Sequence, residues 1–329
     1  MNQEAFNKFL SIRSNGLDPR LEVWYLTATD SQTKAGLWVH YELVTKPTKE
    51  SYLDGWIAYF PQDQSPILAR SGPITIELKN SEQKKALASN VKDNAMLSGG
   101  ILNFDGTVFK GNLGKVAFNL SVSGEFDPLF TFAKWSWEKE VLPASQIVPI
   151  PIAQVKGNIT ISTDNLHQEV NFDGVGGLAR IFGHGSAKRW NWLHANLDQD
   201  TVLEAVVAQP KTPGLSVMPP LGFVQIKTKD FTWPKDPVAA SIFFKGHLGS
   251  EFWTLRGRVG RRRLTFEVAM PEDRCVKVGY VDPDSSTATC TNCEVSSLTA
   301  ILERRYKRWE TEKIWHLQNT AHAEYGDRP

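Results

Sequence analysis

The sequence is poor in the features that mark several common protein classes. It holds three cysteines in 329 residues, Cys275, Cys290 and Cys293, too few and too clustered for the disulfide framework of a secreted domain. The single C-x-x-C, Cys290 to Cys293, has no second pair to complete a zinc site, and the βαβ setting of a thioredoxin-like motif is missing. The three therefore read as structural, reduced thiols, and no metal or other cofactor is expected. Charge of one sign is lacking too. Lys and Arg number 37 against 36 Asp and Glu, which excludes the basic footprint of a nucleic-acid binder. No apolar run approaches the ~18 residues of a membrane helix. The opening MNQEAFNKFL has acid and amide residues where a signal peptide carries a basic region. The expectation is a cytoplasmic protein with no integral membrane segment, peripheral membrane contact being left open. G-x-S-x-G, H-E-x-x-H and P-loop patterns are absent, and Gly174-Val-Gly176-Gly177 opens no helix, so dinucleotide binding is not expected either.

Helix signals are scarce as well. Residues 3–14 can form one short amphipathic helix, and nearly everything after them reads as strands of five to ten residues broken by Gly, Pro, Asn and Asp. Roughly sixteen such strands imply two antiparallel β units, barrels or sandwiches. Two Pro-rich stretches punctuate them. Residues 142–154 are expected to bridge two strands, and residues 209–222 to form a long ordered crossover. The arginines at 256, 258 and 261–263 read as a solvated edge strand, since charge on an edge discourages aggregation.

What is abundant is tryptophan, 11 residues in all, and its placement is informative. Strand side chains alternate between faces. Trp190, Trp192, His194 and Asn196 therefore share one face, as do Trp38, His40 and Glu42, Glu22 and Trp24, and His322 and Glu324. Glu204 sits on a strand beside Val202 and Val206. A half-buried strand ordinarily alternates aliphatic residues with small polar or charged ones. Aromatic rings mixed with imidazoles and carboxylates suit instead a barrel interior, or a cleft between barrels, that receives an apolar ligand. Packing between two domains is the competing account. His184, between Gly183 and Gly185, is either an acid or base presented at a cavity mouth or a histidine in a turn.

Arg189-Trp-Asn-Trp-Leu-His-Ala-Asn-Leu-Asp198 followed by Thr201-Val-Leu-Glu204 resembles the W-x-W, L-D-D-G pattern of the carotenoid hydratase (hydroxyneurosporene synthase) family. That family is grouped with AttH-like proteins and lipocalin-like Diels–Alderases, and tocopherol cyclases show a similar Trp-rich signature. Glu22-Val-Trp24-Tyr25 resembles its early strand and Ala321-His322-Ala-Glu324-Tyr-Gly326 its closing one. Val23 stands in place of the first tryptophan of the early motif, and the glycine-flanked His184 in place of an acidic residue before W-x-W.

The resemblance implies an all-β fold of two lipocalin-like (calycin-type) domains, 1–187 and 188–329, with a short N-terminal helix. It also implies cofactor-independent chemistry on a large hydrophobic isoprenoid or polyene: hydration, cyclisation or cycloaddition. Protonating an alkene requires a carboxylic acid kept neutral by an apolar setting. Glu22 and Glu204 are the expected acids, with His184 and His194 relaying protons or delivering water. Trp24, Trp38, His40, Trp190, Trp192, Asn196, His322 and Glu324 are the expected substrate contacts. Cycloaddition would require only a preset conformation and hydrogen-bond donors. A non-catalytic lipid or pigment carrier using the same pocket is the alternative reading, and the oligomeric state is not legible.

Overall fold

A computed structural model describes residues 9–13, 18–48, 50–76, 102–139, 142–163, 166–185, 187–211 and 218–329. The expected N-terminal helix lies mostly outside these residues; Phe9 and Leu10 are helical and buried. Antiparallel strands form two sheets.

The first sheet contains β1 (Arg20–Asp30), β2 (Gly36–Thr45), β3 (Ser51–Phe60), β4 (Ile67–Ile76), β5 (Leu102–Phe104), β6 (Val108–Asn112), β7 (Val116–Ser123), β8 (Leu129–Phe130), β9 (Ala144–Thr163) and β10 (Leu166–Gly183). They run in the order β4-β3-β2-β1-β10-β9-β7-β6-β5, with β8 beside β9, as an open half-barrel. The second contains β11 (Ala187–Asn196), β12 (Val202–Pro210), β13 (Leu221–Lys227), β14 (Thr232–Trp233), β15 (Phe244–His247), β16 (Phe252–Val259), β17 (Arg262–Ala269), β18 (Val276–Val281), β19 (Thr287–Arg305) and β20 (Trp309–Asp327). Its order is β12-β11-β20-β19-β17-β16-β15-β13, and pairing of β13 back onto β12 closes eight strands into a barrel. Among the described residues after Leu10, helix is confined to short pieces: α1 (Lys134–Lys139), α2 (Pro237–Ala240), which runs into a 3-10 turn (Ser241–Phe243), and a second 3-10 turn (Glu272–Arg274). No helix among the described residues is long and apolar enough to cross a membrane.

The two-unit all-β expectation is met, with three corrections of detail. Four strands, β9, β10, β19 and β20, reach 18 to 20 residues. The stretch 142–154 is therefore not a connection: from Ala144 onward it is the first half of β9. Its prolines fit because the β9–β10 pairing shifts register on either side of Leu178, so that Ile150 pairs with Leu178 while Pro149 and Pro151 drop out of the ladder. A bulge is where a residue without an N–H can be tolerated. Finally, the arginine-rich hairpin is not an edge. β16 and β17 are interior members of a closed ring, and Arg262 is tied to Glu312 by two 3.0 Å hydrogen bonds. Closure removes the edge that those charges were expected to guard. Of the expected crossover, residues 212–217 lie outside the described residues.

Why the outward strand faces carry tryptophan follows from the layering. In β2 and β3 every residue is buried, on both faces. One face, with Trp24, Leu26, Leu37, Val39 and Tyr41, forms the core of the half-barrel. The other, with Trp38, Trp56 and Phe60, lies against the barrel. Inside the barrel Leu193, Leu203, Val224, Trp253, Leu264 and Phe266 are all fully buried, so side chains fill it and the open space lies between the two sheets.

Candidate functional site

A cavity of about 460 Å³ opens between the sheets. β1 and β2 present Tyr25, His40 and Glu42 to it, with Trp38 beside them; β11 and β20 present Trp190, Trp192 and Glu324 from the opposite side. The register explains the grouping. His40 is directly across from Tyr25 on β1 and from Trp56 on β3. Its imidazole stacks on the Trp56 indole, with ring centroids 4.0 Å apart and planes 8° apart. Tyr280 of β18 approaches the same imidazole at 5.5 Å.

Glu42 is the chemically distinctive wall residue. It is 1% exposed, and Oε2 lies 3.3 Å from Nε2 of His40. Burial pushes its carboxyl up to about 8, with Asp54 and Asp282 adding to the shift and Arg70 opposing it. Burial, then the Arg70 charge, pushes His40 well down. At neutral pH this is a neutral carboxylic acid beside a neutral imidazole, because water is not there to solvate either charge. Glu324 is a second raised acid. Burial pushes it up, while hydrogen bonds from the Trp190 indole and the Cys290 thiol pull the other way. The indole N–H of Trp190 donates to Glu324 Oε1 at 2.6 Å. That geometry needs Gly326, where a Cβ would meet the Trp190 ring at 2.0 Å.

Behind this wall lies a buried row crossing four neighbouring strands. Glu204 stands across from His194, and His194 from His322, with Glu294 of β19 following. Glu204 is a hub: Oε1 accepts from Trp192 Nε1 and from Gln146 Nε2, each at 2.6 Å, and Oε2 contacts His194 Nδ1 at 2.8 Å. Gln146 also donates to the Tyr25 hydroxyl at 2.9 Å. Nδ1 of His322 lies 2.7 Å from Glu294 Oε2, off hydrogen-bond alignment, and Glu294 also accepts from the Thr27 hydroxyl of the other sheet. The His194 ring lies over Gly177, whose absent Cβ would fall 2.5 Å from it. Gly177 thus serves ring-to-backbone packing, while Gly174 and Gly176 lie closest to the Thr29 and Thr27 carbonyls of β1.

The expected site residues therefore separate into three groups. Trp38, His40, His184, Trp190, Trp192 and Glu324 line the cavity. His194, Glu204, Asn196 and His322 lie in the interface behind it; Asn196 donates to the Pro151 carbonyl of β9 at 3.0 Å. Glu22 and Trp24 are on the other face of β1, inside the half-barrel. Glu22 is paired with the fully buried Arg180 and accepts from the Arg13 backbone N–H; the Arg180 guanidinium sits 3.9 Å over the Trp24 ring. Glu22 is thus committed to a buried cation and faces away from the cavity. At the rim, His184 Nε2 is bound to the Arg20 guanidinium, and burial followed by that charge pushes it down. Arg328 pairs with Asp282 at 2.7 Å and covers the Trp190 ring at 4.9 Å. Glu42, Tyr25 and Gln146 were not among the expected site residues. Glu42 had a signal, the same strand face as Trp38 and His40; Gln146 had none, being in a stretch read as a connection.

No family model matches the chain. Over 316 residues it is 36% identical to uncharacterized protein Rv0493c of Mycobacterium tuberculosis (strain ATCC 25618 / H37Rv), an alignment covering 96% of this chain and 89% of that one. The chain belongs to the Rv0493c family. Uncharacterized protein MT0513 of the CDC 1551 / Oshkosh strain matches to the same extent. The fold of this Rv0493c-family member is similar to that of CghA, solved with Sch210972 (TM-score 0.57, 11% identity, 94% of this chain and 88% of that one). It is also similar to NE1406 of Nitrosomonas europaea, assigned as an AttH (TM-score 0.56, 12% identity, 94% and 92%). Kievitone hydratase from Nectria haematococca gives a TM-score of 0.53 at 10% identity, with coverage of 94% and 89%. At such identities the shared property is the fold.

Proposed function

We propose that this Rv0493c-family member is a cofactor-independent enzyme of the cyclase or hydratase type. It acts on a hydrophobic small molecule, of isoprenoid or polyene character, held between a half-barrel domain (1–187) and a barrel domain (188–329). The observation that carries this reading is Glu42, a fully buried carboxyl on the wall of an apolar, aromatic-walled cavity, 3.3 Å from the His40 imidazole, where burial pushes its titration up to about 8. Fold neighbours named for a hydratase and solved with a small molecule are consistent with it, as is the W-x-W resemblance.

In the proposed reaction the Glu42 O–H gives its proton to an alkene carbon, whose π electrons form the new C–H bond. The resulting cation is stabilised over the Trp38, Trp190 and Trp192 faces by about 0.5–2 kcal/mol per well-placed ring. It is quenched either by a second alkene, forming a C–C bond before a proton is lost, or by water, which loses a proton on adding. The released proton returns to the Glu42 carboxylate through His40. His40 is a poor base at rest, and a carboxylate 3.3 Å away favours its protonated form only once Glu42 has reacted. Glu204 and His194 hold Trp192 and Gln146 in place and do not themselves touch substrate.

The test is native mass spectrometry and organic extraction of freshly purified wild type and Glu42→Gln. An apolar compound in both, chemically different between them, is the expected result. The identical compound in both would replace this reading by the carrier.

A further inference from the structure

The mouth of the cavity is flanked by two short helical segments from different halves of the chain. α1 follows Phe132, and α2 runs into the 3-10 turn; Phe132, Val238 and Ser241 all line the cavity. Gln225 clamps the two segments together. Its Oε1 accepts from the Phe130 backbone N–H at 2.9 Å and its Nε2 donates to the Pro234 carbonyl at 3.2 Å. A further link is the Trp135 indole, which donates at 3.1 Å to Asp236, the residue whose other oxygen caps α2 at Ala239.

The outer side of this clamp carries three large exposed apolar side chains: Ile242 at 70%, Phe243 at 57% and Trp135 at 38% exposure. Single exposed hydrophobes are ordinary; three beside the mouth of an apolar cavity are not. Ser241 and Phe244, on either side of the pair, are buried, so the turn itself holds Ile242 and Phe243 outward. Basic side chains flank them: Lys134 and Lys139 on α1, Lys235 before α2, Lys245 facing Arg256 across β15 and β16, and Arg258 beyond it, all exposed. Within 134–139 and 235–245 the only carboxylates are Glu138, 3.9 Å from Lys134, and the capping Asp236.

Apolar tips inserted below the headgroups, a tryptophan at their level and flanking cations are what an anionic bilayer surface attracts. We infer that this clamp docks the protein on an anionic lipid surface through Ile242 and Phe243, so that a hydrophobic substrate passes from the bilayer into the cavity without crossing water. This rests on the reading of the cavity as the site of a hydrophobic molecule.

The test is co-sedimentation of the full chain with phosphatidylserine-containing phosphatidylcholine vesicles and with pure phosphatidylcholine vesicles. It is run on wild type and on the Ile242→Ser/Phe243→Ser double variant. Salt is set at about 0.1 M and about 1 M, where the screening length falls from about 10 to about 3 Å. Wild type is expected to prefer the anionic vesicles, to be released by high salt, and to lose on the order of tenfold in partitioning in the double variant. Both side chains are exposed, so an unchanged melting temperature is the control for folding. No anionic preference, or a double variant that partitions like wild type, overturns the inference. So does a wild-type dimer that the double variant dissociates, since the patch would then belong to a second copy. Organic extraction of the same samples separates the two readings. Bound apolar compound without vesicle binding removes only the docking surface, whereas an empty cavity in a vesicle-binding protein removes the proposed function.

Discussion

Nε2 of His40 lies 3.3 Å from Oε2 of Glu42, two residues along one strand, and both side chains are buried. With Glu42 pushed up to about 8 and His40 well down, the imidazole loses its proton before the carboxyl does, the reverse of a surface Glu–His pair. The acid keeps the proton and the imidazole has none to spare.

Glu42→Gln is expected to retain the bound apolar molecule and to lose turnover by about two to four orders of magnitude, the range for a general acid. In the wild type, turnover is expected to fall as pH rises through about 8, because the acid form disappears. Reaction in D₂O should place one carbon-bound deuterium in the product. A product free of deuterium would exclude carbon protonation.

The same residue makes stability depend on pH. The Glu42 carboxyl titrates near 4.5 unfolded and about 8 folded, so between those values the folded chain holds the extra proton. Its contribution is complete below 4.5 and is lost as pH rises towards 8, by at most about 1.4 kcal/mol per pH unit. His40 has the opposite sign: lowered from 6.5, it costs stability as pH falls below that value. Melting temperatures between about pH 5 and 8 should decline less steeply in Glu42→Gln than in wild type. Parallel profiles would mean that the carboxyl is not raised.

Glu204→Gln places an amide donor among the donors that now surround Glu204, from Gln146, Trp192, His194 and the Thr131 hydroxyl. A loss of about 1–3 kcal/mol in denaturant unfolding is expected for a buried donor left unpaired. Weaker ligand retention should accompany it, since Trp192 and Gln146 lose their common anchor. Unchanged retention would detach this row from the cavity.

Arg180→Met removes the buried guanidinium that pairs with Glu22 and should cost about 3–5 kcal/mol. The remaining folded protein is expected to carry as much apolar compound as wild type. A selective loss of compound would return Glu22 to the site.

Gly326→Ala drives a methyl into the Trp190 ring. About 1–3 kcal/mol of destabilisation is expected from overpacking, with the Trp190–Glu324 bond broken. Loss of the Trp190 indole N–H signal position by NMR would report it.

Much of this was legible because strand alternation is a rigid rule. Trp190, Trp192, His194 and Asn196 do share the face that meets the other sheet, and Trp38, His40 and Glu42 share its counterpart. Alternation says which residues lie together, however, and not which layer they meet. In β1 both faces are buried, so a carboxyl such as Glu22 makes the inner face look like the site, while Tyr25 on the outer face looks like ordinary core. Glu204 reads as an acid in an apolar strand; its donors come from positions 131, 146, 192 and 194, and only spatial proximity could supply them. Gln146 was hidden by the prolines of β9, whose bulged register keeps a strand going where local rules end one.

The all-buried strands β2 and β3 have a consequence for how the chain comes together. A half-barrel separated from its partner would display Trp38, Trp56 and Phe60 to water, and the barrel would display Trp190 and Trp192 in turn. Neither half has a finished surface of its own. The chain should therefore melt in one cooperative transition, and a proteolytic cut between Gly183 and Ala187 would yield two fragments that cohere or precipitate rather than two soluble domains.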